Sequence, residues 1–105
     1  MRGPFVLSET GVNLMVPPRL LGVYCLSNSR DHVELLRRSS VSVRDEVRAY
    51  VDEYKYFWFE VATSARDAFA REAQGYHDPT LRKAACIAHP HAPAGSDWRC
   101  PDCER

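Results

Sequence analysis

The stretch Tyr54 to Val61, YKYFWFEV, constrains the fold more than any other part of this chain. Side chains alternate across a strand, so Tyr56 and Trp58 point to one face and Phe57 and Phe59 to the other. Aromatic residues on both faces require cover on both faces. The strand therefore belongs inside a layered domain and not on a half-solvated sheet. A chain of 105 residues has room for one such domain, whose apolar core alone gives only modest stability.

The other elements fall into place around this strand. Leu20 to Leu26 is an apolar run between Pro17-Pro18 and Ser27-Asn28-Ser29, and it reads as a buried strand. His32 to Leu36 reads as a second strand, joined to the first as a hairpin. Ser42 and Asp45 form a capping box, and Val43, Val47, Tyr50 and Val51 place one apolar stripe on the helix that follows. Ser64 and Asp67 form another, opening a helix expected to end near Gly75. The expected fold is α+β: a small antiparallel three-stranded sheet flanked by helices, one domain over residues 1–105. Residues 76–105, rich in proline, glycine and histidine, form an irregular tail within it.

Composition narrows the setting. No apolar run approaches the roughly 20 residues of a membrane helix, and Met1 to Met15 is too polar for a signal-peptide core. The reading is a cytoplasmic protein with no membrane partner, whose four cysteines stay reduced. Cys25, in an apolar run, reads as a buried thiol. The 14 Lys plus Arg balance 14 Asp plus Glu, whereas phosphate-binding proteins usually carry a basic excess. Only the middle of the chain leans basic, through Arg30, Arg37, Arg38, Arg44 and Arg48.

Two features carry chemistry. On the second helix the stripe Ala65, Ala68, Phe69, Glu72, Ala73 places a carboxylate on an apolar face, which requires an edge position, a cationic partner or a metal ion. In the tail, Cys86-x2-His89-x10-Cys100-x2-Cys103 is a good spacing for zinc, with Pro93 and Gly95 turning the intervening loop, and His77 and His91 lie nearby. A site of four protein ligands is structural and closed to substrate. His32 reads as an ordinary strand side chain, and Trp98 as cover for the metal site. The chain has no phosphate-cradling glycine loop and no defensible Ser-His-Asp order.

Gly22-Val23-Tyr24 in the first strand, the arginine-bearing helix after the second, the aromatic strand and Asp67 to Asp78, DAFAREAQGYHD, together resemble the GIY-YIG endonuclease superfamily. In particular the chain resembles small bacterial members whose tails carry His-Pro, Trp and Cys-Pro-x-Cys. The resemblance runs from about Val16 onward. It implies phosphodiester hydrolysis with one divalent cation, Mg²⁺ or Mn²⁺, with Tyr24 as or beside the base and Glu72 as the cation ligand. The Tyr-Ile-Gly place falls on Leu35-Leu36-Arg37, and the helical arginine falls on Glu46. Arg44 and Arg48 lie about 160 to 200° around the helix from position 46, so Arg37 or Arg38 is the easier replacement. The resemblance also implies a tail zinc set of Cys100, Cys103 and His89, with His77 ahead of Cys86 as the fourth ligand.

These readings lead to a nucleic-acid-binding module, for DNA more than RNA, with impaired catalysis and a structural zinc. Arg37, Arg38, Arg44 and Arg48 are its candidate phosphate contacts. An active endonuclease and a protein-interaction subunit are the alternatives.

Overall fold

The computed structural model describes residues 1–79, 81, 83, 87 and 89–100. The element order is β1 (Arg2–Val6), α1 (Glu9–Met15), β2 (Gly22–Ser27), β3 (Leu35–Ser39), α2 (Val43–Arg48), β4 (Tyr56–Val61) and α3 (Ala65–His77). The strands form a four-stranded antiparallel sheet in the order β1-β4-β2-β3. The α+β class matches the expectation, and the strand number corrects it. Three strands were expected because residues 1–15 contain no alternating apolar run. β1 forms nonetheless as an edge strand: Phe5 packs on the core, Phe5 and Phe57 lie 5.3 Å apart, and the rest of the strand is exposed.

Local signals explain most element ends. Ser8, Ser42 and Ser64 each cap a helix, accepting a hydrogen bond from the backbone N–H of Gly11, Asp45 and Asp67. The Asp67 carboxylate also takes the Thr63 N–H at 2.9 Å, which fixes the entry to α3. β3 runs later than the expected His32 to Leu36, because its pairing with β2 sets Leu26 opposite Leu35 and Gly22 opposite Ser39. At Gly22 the backbone of β4 approaches so closely that an added Cβ would collide with the Glu60 carbonyl oxygen.

The aromatic strand is covered on both faces. Phe57 and Phe59 join Tyr24, Leu26, Val12, Val16, Val43 and Val47 beneath α1 and α2. Trp58 joins Val23, Cys25, Val33 and Leu36 on the other face, where α3 packs against β2 and β3. Full burial of each phenylalanine contributes about 1.5–3 kcal/mol. Cys25 is buried, as expected. Beyond α3, Lys83 forms a parallel bridge with Val33 and donates to the Asp78 and Leu81 carbonyls, turning the chain back toward the sheet. No helix among the described residues is long and apolar enough to cross a membrane.

Candidate functional site

His77 is the last residue of α3, and the returning chain brings His89 and Cys100 to it. The ligand atoms of these three residues all lie within 4.8 Å of one another. The two Nε2 atoms are 3.3 Å apart. Two imidazole nitrogens bound at about 2.0–2.1 Å to a tetrahedral ion sit about 3.3 Å apart, so the pair already spans one edge of such a polyhedron. The tautomer also suits a ligand. His89 Nδ1 lies 2.8 Å from the Pro90 carbonyl oxygen, which can only accept, so the neutral ring that donates there leaves Nε2, on the His77 side, as its ligating atom.

The surroundings hold these rings in place. Tyr76 meets His77 and His89 edge-on, at centroid distances of 5.0 and 4.8 Å. Cys100 is buried, and Trp98 lies against Phe69 of α3 at 6.1 Å. The carboxyl end of α3 presents the negative end of its dipole to a cation held at His77. His77, His89 and Cys100 thus form a group that could hold a metal ion, and two nitrogens with a sulfur suit a borderline-soft divalent ion. Cys103, expected among the ligands, and Cys86, the alternative to His77 as the fourth, lie outside the described residues.

Tyr24 and Glu72, the residues implied for catalysis, are placed apart. Tyr24 lies in the layer under α1 and α2, whereas Glu72 rises from α3 on the opposite face of the sheet. The Tyr24 hydroxyl donates to Glu46 Oε1 at 3.0 Å. Burial, and then the neighbouring Glu46 carboxylate, push the phenol far above the usual tyrosine range. Glu72, nearly fully buried, pairs with Arg38 at 2.6 Å. Burial raises its pKa despite the opposing pull of Arg38 and then Arg37. Of the three arrangements open to a carboxylate on that stripe, Glu72 has the cationic partner, Arg38.

The four candidate phosphate-binding arginines do not share a face. Arg44 donates to the Val16 and Asn13 carbonyls, and Arg48 reaches the Asn13 side chain, so both tie α2 to the end of α1. Arg38 contacts Glu72, the His91 carbonyl and the Phe69 ring. Arg37 stands opposite Tyr24 in the β2–β3 ladder and is exposed. It lines an open cleft of about 470 Å³ with Tyr54, Glu72, His89 and His91.

No family model, curated protein or solved structure matches the chain. Sequence reasoning missed Glu46 as the partner of Tyr24, although both had been singled out separately. It also missed the Pro90 and His91 carbonyls. Backbone acceptors leave no trace in a residue pattern, so nothing could have flagged them.

Proposed function

We propose that this chain is a catalytically silent binding module on a GIY-YIG-like scaffold, clipped by a structural zinc ion. The observation that carries the reading is the state of the two implied catalytic groups: the Tyr24 hydroxyl is bonded to a carboxylate, and the Glu72 carboxylate to a guanidinium. A phenol that is buried beside Glu46 holds its proton and is a poor base near neutral pH. A cation approaching Glu72 has to displace Arg38 or tolerate its charge, which disfavours Mg²⁺ or Mn²⁺ there.

In this reading His77, taken ahead of Cys86, joins His89 and Cys100 in holding the zinc, and Cys103 completes the tetrahedron. A zinc with four protein ligands supplies folding stability and leaves no open position for substrate. The ligand of the module is nucleic acid, DNA more than RNA, met through Arg37. This arginine is exposed and makes no ion pair among the described residues.

Plasmid nicking with Mg²⁺ or Mn²⁺, paired with a salt titration of DNA binding, tests both halves. The expected results are no efficient nicking, and binding that weakens with salt and loses about one unit of slope in Arg37→Ala. Robust nicking that Tyr24→Phe and Glu72→Gln abolish would make the chain an active endonuclease. Absence of DNA and RNA binding at low salt would overturn the nucleic-acid half and leave a protein partner.

A further inference from the structure

The described stretch from His89 to Cys100 carries two of the metal-site residues yet contains no helix or strand. A ligand loop without regular structure binds an ion well only if other contacts hold it near the bound geometry, since otherwise the ion must order the loop itself. Beside the Tyr76 contact with His89, two such contacts meet at one side chain. Arg38 Nη2 donates to the His91 carbonyl at 2.7 Å, two residues beyond His89. The same guanidinium lies over the Phe69 ring at 5.1 Å, and the other side of the chain's return, Trp98, packs on that ring at 6.1 Å, two residues before Cys100. Arg38 Nη1 is held by Glu72 Oε1 at 2.6 Å. One planar fork thus touches the loop near its entry directly and near its exit through Phe69, and a buried carboxylate aims it.

We infer that Arg38 is the positioning residue of the metal clip, joining the ligand loop to Glu72 so that ion binding and the Arg38–Glu72 pair stabilise one another. The inference rests on the metal reading of His77, His89 and Cys100. It gives the buried Glu72 a role that requires no catalysis: the carboxylate orients the fork. Only arginine fits this place, because its rigid guanidinium presents separate N–H groups to a carboxylate and a carbonyl while its flat face covers an aromatic ring. Lysine retains the charge, but its three N–H donors all sit on one nitrogen at the end of a flexible stem, with no flat face to cover the ring. Coupling of this kind is reciprocal, so a loaded clip strengthens the Arg38–Glu72 contact as much as that contact strengthens the clip.

Zinc affinity of the full chain, measured by competition with a chromophoric chelator, tests this in wild type, Arg38→Met, Arg38→Lys and Glu72→Gln. Thermal melts of zinc-loaded and chelator-stripped samples accompany each titration. Arg38→Met is expected to weaken zinc binding about 10- to 100-fold, the usual cost of losing an outer-shell partner. Arg38→Lys should weaken it nearly as much. Glu72→Gln keeps an acceptor for Nη1, and its loss of affinity should be smaller than that of either Arg38 variant. In the melts, Arg38→Met should lower the loaded protein more than the stripped protein, whereas a merely structural arginine would lower both equally. Wild-type zinc affinity in Arg38→Lys, or equal melting losses in both states, overturns the inference. Wild-type protein that takes up no zinc overturns the metal reading itself, and the inference with it.

Discussion

Replacing Tyr24 by phenylalanine should change how stability depends on pH, and the size of the change can be worked out in advance. Tyr24 is 1% exposed and donates to Glu46 at 3.0 Å. In the unfolded chain its phenol ionises near about pH 10. In the folded chain, burial first and the Glu46 charge second raise that value well beyond it. The folded state therefore keeps a proton that the unfolded state releases. The stability contribution is complete below about pH 10 and is lost above it, at about 1.4 kcal/mol per pH unit for one proton. By about pH 11 wild type should have lost about 1.4 kcal/mol through this group alone. Tyr24→Phe lacks that loss. Near neutral pH the variant should instead be less stable by about 1–2 kcal/mol, having lost a hydrogen bond to a charged but half-exposed acceptor. The two stability curves should thus converge as pH rises. Guanidinium denaturation from about pH 7 to pH 11 measures both curves. The buried Cys25 thiol, pushed up to about 12, is common to both proteins and cancels in the difference. Parallel curves would refute the reasoning, because they would mean that the phenol ionises as easily in the fold as in water.

The remaining predictions concern the clip, the sheet and a helix cap. Protein prepared without chelator should carry about one zinc by native mass spectrometry, and His77→Ala or Cys100→Ser should reduce that content and lower the melting temperature; full metallation of both variants would remove these residues from the site. Gly22→Ala should cost about 2–3 kcal/mol or prevent folding, because its methyl meets the Glu60 carbonyl and the β2–β4 ladder has to part; an unchanged denaturation midpoint would contradict that close approach. The Thr63 N–H and Arg71 hold the Asp67 carboxyl below its usual range, so its contribution is present above about pH 4 and lost as the solution is acidified through its folded value. Asp67→Asn should therefore melt lower than wild type near neutral pH, and the gap should close in acid.

Much of the layout could be read from residue patterns where one physical cause acts alone. The serine caps at Ser42 and Ser64 and the two-sided aromatic strand follow from local chemistry and appear in the fold, and of the options open to Glu72 the fold takes the cationic partner. His89 and Cys100 stood together in the zinc spacing, whereas His77 entered through the resemblance and not through the spacing, which favoured Cys86. α1 was not anticipated, because Thr10, Gly11 and Asn13 are poor helix formers and the helix depends on its Ser8 cap and on Val12 in the core. β3 was placed too early because consecutive arginines do not read as strand. Its ladder with β2 decides instead, sending Arg37 toward the Tyr24 face and Arg38 to Glu72. The separation of Tyr24 from Glu72 was illegible for a related reason, since it depends on which face of the sheet each element covers.

The strand order also implies an order in time. β2 and β3 are neighbours in sequence and can close as a hairpin within about 1–10 μs. β1 lies at the sheet edge and pairs only with β4, so it cannot add until Tyr56–Val61 exists and has been placed. On a ribosome the two strands emerge roughly 50 residues apart, an interval of about 3–10 s at ordinary synthesis rates. For that interval Phe5 and the β1 backbone have no sheet to join, so the earliest of the described strands to be made is the last to find its partner.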